Sequence, residues 1–297
     1  MIRVGLVDFD TSHVAAFTQR LNHVGIGHEE WVEGAKVVVG FPGDSAMMPE
    51  RIPGYVEQLT GYGVPLAGKT EDLLGKIDAV MITSQQGARH LPRARPFLEA
   101  GLPTFIDKPF AGNAADADAI IALADTHHAP LMSCSALRWA PEVQDALRRR
   151  DEFGGIVSAD VWTTAMLHPG NPGLLQYSIH GVEMLYALMG VGCRAVRAVF
   201  NEGGEVVTGV WSDGRIATVR GIRRGAGGFG FTAHYEKGHH AAAVQGGGYY
   251  REMLKEIVGM FTTREEPIAK PEMREIIAFC DAAAESIVQD GAPVAIR

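Results

Sequence analysis

Lys108 stands in Phe105-Ile106-Asp107-Lys108-Pro109, directly after a short apolar run that reads as a β-strand. Ligands of open parallel sheets lie beyond the carboxyl ends of the strands, so a lysine at such an end meets a cleft. Partly withdrawn from water, it can exchange a proton with a substrate hydroxyl, and Pro109 pins the chain behind it. His180, at the start of a helical stretch, could supply or relay that proton, because imidazole titrates near neutral pH. Gln176 and Tyr177, just before it, can position a substrate, and His168 lies in a Pro- and Gly-flanked loop that could touch one. A third group is Val7-Asp8-Phe9-Asp10-Thr11-Ser12-His13, where a strand gives way to a helix. Asp10 or Thr11 suits the N-cap of a helix through Val14, Phe17 and Leu21. Asp8, Asp10 and His13 are also metal-ligand types, but such residues often fall close together by chance, and no metal is assigned. His127-His128 and His239-His240 do not read as metal sites; neighbours in a strand point to opposite faces.

The elements that must hold these residues follow from the hydrophobic pattern. Up to about residue 135, short β-branched runs alternate with longer amphipathic segments, the rhythm of a parallel sheet with crossover helices. Six strands are expected: 2–7, 36–40, a weak one near Val64, 79–83, 104–106 and 130–133. Helices are expected at 88–100, closed by Gly101, and at 114–126. The stretch 41–63, rich in Gly, Pro and Met, reads as loop with one short helix around 55–59, a candidate mobile edge of a site. After a helix at 141–150 the pattern changes to period-two strands at 156–164, 194–201, 205–211, 216–222, 229–235 and 239–244, which make a largely antiparallel sheet. Helices are expected at 174–189, 249–262 and 272–289.

Composition narrows the function classes. With 297 residues, 46% hydrophobic and 21% charged, the chain suits about two globular domains and not a disordered segment. No apolar run reaches the roughly 18 residues that span a bilayer, and no signal-peptide pattern precedes Ile2, so no membrane partner is expected. A net charge of −8 argues against a nucleic-acid partner. Three scattered cysteines without a C-x-x-C suit a reducing compartment, which points to the cytoplasm.

Asp107-Lys108-Pro109, with its strand before and helix after, resembles the Glu-Lys-Pro signature of the Gfo/Idh/MocA oxidoreductases, with aspartate in place of glutamate. Other landmarks fall in the family's order: Ile82-Thr83-Ser84 with His90, Ala136-Leu137-Arg138-Trp139-Ala140-Pro141, Ser178-Ile179-His180-Gly181-Val182-Glu183, and Ala282-Ala283-Ala284-Glu285-Ser286 with Gly291 and Pro293-Val294. The resemblance spans nearly the whole chain. It implies an α/β fold: a Rossmann-like doubly wound parallel sheet at 1–135, then an α+β domain with a large, mostly antiparallel open sheet for substrate and oligomerisation at 136–270. It further implies a terminal helix and strand at 271–297 that pack back on the N-terminal domain. The implied activity is hydride transfer between NAD or NADP and a sugar, inositol or related polyol, with Lys108 and His180 catalytic. Asp8, Asp10, Thr11, Ser12, Asp44, Thr83, Ser84, His90, Asp107, Pro109 and Arg138 would hold the cofactor, and Gln176, Tyr177 and His168 the substrate. A homo-oligomer, dimer or tetramer, is implied as well.

Beyond Asp107 for glutamate the sequence departs from the family elsewhere, and the acid expected to grip the adenosine ribose at the end of the second strand is missing, with Phe41-Pro42 in its place and Asp44 the nearest substitute. The glycine-rich turn that lets a diphosphate approach the backbone is replaced by Asp8, Asp10 and His13, or the loop is shortened so that His13 matches a histidine lying just beyond it. Like charges there disfavour a diphosphate. The aspartate that usually stands four residues before the histidine is Gln176. A dehydrogenase-like protein that lacks the dinucleotide and serves as a small-molecule binder or regulator is therefore the alternative. Relatives that use NAD to cleave glycosides share the first chemical step, and the sequence does not separate them.

Overall fold

β1 (Ile2–Val7), β3 (Ala79–Ile82), β4 (Thr104–Asp107) and β5 (Leu131–Cys134) are short and almost wholly buried, as strands covered on both faces must be; β2 (Ala35–Phe41) lies at one edge. The computed structural model describes residues 1–297. These five strands form a parallel sheet in the order β2-β1-β3-β4-β5. Its crossovers are α1 (His13–Asn22), α2 (Ile52–Gly61), α3 (His90–Glu99) and α4 (Ala114–Thr126).

The sixth strand expected near Val64 is not formed. Only one bridge, from Leu66 to Gly40, joins that segment to the sheet. Pro65 has no N–H to give a ladder, and Gly63 turns the backbone with φ +78°, so pairing stops there. The segment 41–63 holds more helix than the sequence suggested, a full α2 rather than one turn. Gly40 is needed for close approach: a Cβ there would lie 2.4 Å from the fully buried Phe9 ring.

The second sheet contains β6 (Ile156–Thr164), β7 (Cys193–Asn201), β8 (Gly204–Trp211), β9 (Ile216–Ile222), β10 (Phe229–Tyr235), β11 (Gly238–Ala243) and β12 (Val294–Ala295). Its order is β11-β10-β6-β9-β8-β7-β12, antiparallel except for the β6–β9 pair. Helices α5 (Pro141–Arg148) and α6 (Arg150–Phe153) precede it, and α7 (Ile179–Met189) packs on β6 and β9. The helix expected from 174 begins only at Ile179; a 3-10 turn at Gly173–Leu175 comes first. The last two helices are α8 (Tyr249–Thr263) and α9 (Lys270–Val288). No helix is long and apolar enough to cross a membrane, and none of the three cysteines is in a disulfide.

The chain divides into two compact units, Met1–Cys134 with Tyr250–Lys270, and Ser135–Tyr249 with Pro271–Arg297. The terminal segments are thus exchanged relative to the sequence expectation. α8 joins the first unit, where Arg251 donates to the Glu29 carbonyl at 2.6 Å and Arg264 to the His128 carbonyl at 2.7 Å. α9 and β12 belong to the second. There Glu275 accepts from Tyr186 Oη, Gly192 N and Cys193 N, Ser286 Oγ accepts from Ala198 N, and β12 pairs with β7. Local periodicity reports an apolar stripe and not which sheet receives it.

Gly40→Val is expected to lower stability by about 1–3 kcal/mol, since the branched side chain overpacks the Phe9 ring. Thermal unfolding of the two proteins measures this, and an unchanged midpoint would contradict the packing described.

Candidate active site

The carboxyl end of β4 carries Asp107 and Lys108, both buried, with 1% and 9% of their surface exposed. Asp107 Oδ2 lies 2.5 Å from Nδ1 of His13, and Oδ1 accepts the Lys108 N–H at 2.8 Å. On its other side the His13 ring, through Nε2, meets Tyr250 Oη at 3.1 Å and stacks on Phe17. Burial opposes the Asp107 charge, but the charges of His13 and Lys108 and the hydrogen bonds outweigh it and hold the carboxyl down at about 2. The Lys108–Pro109 peptide is cis.

The turn after β1 is a second polar cluster. Asp8 takes φ +65°, a conformation that glycine adopts more readily, and its Oδ2 accepts from Ser84 Oγ at 2.5 Å and Arg93 Nε at 2.9 Å. Burial pushes the Asp8 carboxyl up, against the pull of Ser84 and of Arg93. Asp10 accepts from Ser45 Oγ at 2.7 Å and from Gln85 N at 3.0 Å. Asp10 therefore caps no helix; α1 starts at His13 after Ser12, whose side chain makes no capping bond, and Thr11 Oγ1 accepts only a long 3.4 Å bond from His13 N. Thr83 Oγ1 donates to the carbonyls of Val7 and Asp8. His90 is fully buried with its ring nitrogens against the Ser84 and Phe110 carbonyls, and burial lowers its pKa. Neutral, the ring can donate to one of these carbonyls only, and its 0% exposure keeps it from a ligand in this structure. Asp44, beyond β2, bridges Arg89 and Arg93 at 2.5 and 2.6 Å.

In the second unit, His180 at the start of α7 has Nδ1 2.6 Å from Ser135 Oγ and meets the stacked rings of Tyr177 and Phe229 edge-on. Gln176 is not seen on His180; its Oε1 accepts a 3.4 Å bond from Asn171. His168 Nδ1 accepts from Gly170 N and lines an apolar cavity of about 380 Å³ with Leu167, Phe200 and Ile287. Arg138, expected at a cofactor, is committed to two acids of its own unit, with Nε 3.3 Å from Glu183 and Nη2 2.5 Å from Glu272. Burial lifts Glu183 to about 7, with Glu272 adding to the rise and Arg138 opposing it.

Residues 52–134 match the model of the oxidoreductase family, NAD-binding Rossmann fold, named for Gfo, Idh and MocA. That segment matches the Gfo/Idh/MocA family model. It runs from α2 through Lys108 to the end of β5, so it includes the Asp-Lys-Pro element. The whole chain is similar in fold to a probable dehydrogenase from Thermotoga maritima (16% identity, 99% of each chain, TM-score 0.82). It is similar to myo-inositol dehydrogenase from Lactobacillus casei, solved with NAD(H) and myo-inositol (15% identity, 100% of this chain and 97% of that one, TM-score 0.81). It also resembles scyllo-inositol dehydrogenase from Lactobacillus casei with NAD(H) and scyllo-inositol (16% identity, 100% and 99%, TM-score 0.81). The search of curated proteins found no match.

The family description raises the question of whether these residues fit a dinucleotide. The charge of Asp8 is set against Arg93, and Asp10 accepts two hydrogen bonds, so neither acid is a bare charge beside a diphosphate. Gly43 keeps the β2 loop against Asp8, for a Cβ there would lie 1.7 Å from Asp8 Oδ1. Bonded acids stand where a glycine cradle would lie, and one oxygen, Asp8 Oδ1, is buried without a hydrogen-bond partner. No group of three or more His, Cys, Asp or Glu side chains is placed to hold a metal ion. Sequence reading missed Tyr250, Arg89, Arg93 and Ser135 as members of these clusters. Only Ser135, next to the Ala136–Pro141 landmark, carried a local signal.

Glu183 gives a pH prediction. Because its pKa in the fold lies near 7, above the ordinary 4.5, the native protein keeps a proton that the unfolded chain has released. That stabilisation is complete below pH 4.5 and is lost as pH rises through about 7. In urea unfolding, the stability of wild type relative to Glu183→Gln should therefore fall across this interval, by at most ~3 kcal/mol, and level off above it. A pH-independent difference would refute the assignment.

Proposed function

We propose that the protein is an NAD(P)-dependent oxidoreductase that oxidises or forms a hydroxyl-bearing carbon of a polyhydroxy small molecule, a sugar, inositol or related polyol. The observation that carries this reading is Lys108, nearly buried at the carboxyl end of β4 within the segment that matches the family. When bound, the nicotinamide accepts or returns the hydride. Lys108 Nζ takes the hydroxyl proton in oxidation and gives it back in reduction; poorly hydrated, it is not tied up by water. Asp107, anchored by His13, fixes the backbone from which that side chain springs. His180, its ring oriented by Ser135, is the second acid–base group, and Tyr177 and Gln176 hold substrate hydroxyls. Bonded acids in place of glycines support a weaker dinucleotide affinity than a glycine turn provides. Buried thiols support a reducing compartment, the cytoplasm, and the exposed Val199 and Ile216 of the second sheet support a homo-oligomer.

Asp8 and Asp10 also favour a second reading, a binder without dinucleotide. Titration of the purified protein with NADH and NADPH, followed by nicotinamide fluorescence and melting temperature, separates the two, since a ligand of the folded state raises its stability. The oxidoreductase reading expects binding. It also expects Lys108→Met to lose at least ~100-fold in kcat on a substrate found among inositols and sugars, with cofactor affinity retained. Absence of dinucleotide binding, or an active Lys108→Met variant, would remove it.

A further inference from the structure

At the carboxyl edge of the first sheet, the loops after β2 and β3 meet across β1, and two guanidiniums face one exposed carboxylate. Asp44, three residues beyond β2, receives Arg89 Nη2 and Arg93 Nη2 on the same oxygen, Oδ1. The two arginines are largely covered, at 26% and 18% side-chain exposure, whereas Asp44 is 73% exposed. Arg93 is held from behind: its Nε donates to the buried Asp8 and its guanidinium lies over the Phe41 ring at 5.4 Å. Arg89 Nε is buried without an acceptor. Two oriented cations therefore converge on an acid that faces solvent.

Sheets of this topology take a dinucleotide at the switch between β1 and β3, with the adenosine ribose by the end of the second strand. An acid there accepts ribose hydroxyls in NAD-type sites, whereas an arginine accommodates a 2′-phosphate. Asp44 is poorly suited to the first task, because one of its oxygens already serves two guanidiniums. A phosphate offers three acceptor oxygens and more negative charge, and it can meet the planar donors of both arginines at once. The charged groups around the spot are Asp8, Asp44, Arg89 and Arg93, with Asp10 turned to Ser45 and Gln85. Exchange of Asp44 for a phosphate removes one anion and brings another, so no cation is stranded.

Resting on the oxidoreductase reading above, we propose that Arg89 and Arg93 form the subsite for the 2′-phosphate of NADP, which displaces Asp44, and that the protein prefers NADP to NAD. The test is the affinity of full-length wild type, Arg89→Gln and Asp44→Asn for NADPH and NADH, by fluorescence titration with melting temperature as a second readout. Arg89 hydrogen-bonds no buried acid, so its variant leaves the Asp8–Arg93 bond in place. Wild type should bind NADPH at least tenfold more tightly than NADH. Arg89→Gln should erase most of that ratio through NADPH alone, and Asp44→Asn should tighten NADPH while leaving NADH nearly unchanged. Equal or tighter NADH binding, or a ratio that Arg89→Gln leaves intact, overturns this proposal while the oxidoreductase reading stands. Failure of both nucleotides to bind overturns the two together.

Discussion

A carboxylate withdrawn from water stays charged only where the protein supplies what water did, and at Asp107 that supply is His13. The pair joins the end of β4 to the first residue of α1. The second carboxylate oxygen takes the Lys108 N–H, and the far side of the imidazole meets Tyr250 of α8. One buried charge thereby fastens a strand end, a helix start and a helix from late in the chain. Lys108 inherits its position from this junction, as the residue that follows the anchored acid.

The same accounting governs the turn after β1. A glycine-rich turn makes room for an anion by having no side chains; here Asp8 and Asp10 fill the turn, Asp10 held by Ser45 and Gln85, and Asp8 held through Oδ2 by Ser84 and Arg93 while its Oδ1 is buried without a partner. Arg93 serves twice, on the buried Asp8 and on the exposed Asp44, which links the loops after β2 and β3. In the second unit Glu183 is buried, and a single guanidinium, Arg138, is shared between it and the half-buried Glu272, so the cation does not offset the cost of burying Glu183. That is why Glu183 holds its proton to about pH 7 while Asp107, at least as buried, is ionised far below.

The strands of both sheets and the place of Lys108 were legible in the sequence, because both are written locally. An apolar run of four to seven residues bounded by turn signals has few alternatives, and a lysine just after one must stand at the sheet edge. The change from β-α alternation to period-two strands marked where the architecture changes. Reading failed where the decision was not local. Near Val64, Pro65 broke a ladder that the apolar pattern suggested, and the stripes of α8 and α9 did not declare which sheet they would meet.

The candidate site divides in the same way. Sequence determined that Asp107, Lys108, His180 and the two acids after β1 would lie at element ends, where side chains can meet a ligand. Tertiary structure alone decided their partners: His13 for Asp107 across 94 residues, Ser135 for His180 across 45, and Arg93 for Asp8 across 85. Arg138 and His90, which a motif would assign to the cofactor, are bound by acids and carbonyls of their own units. The reason is physical: a residue's type and periodicity set where along an element it stands, but the cost of burying its polar atoms is met by whatever the fold brings beside it.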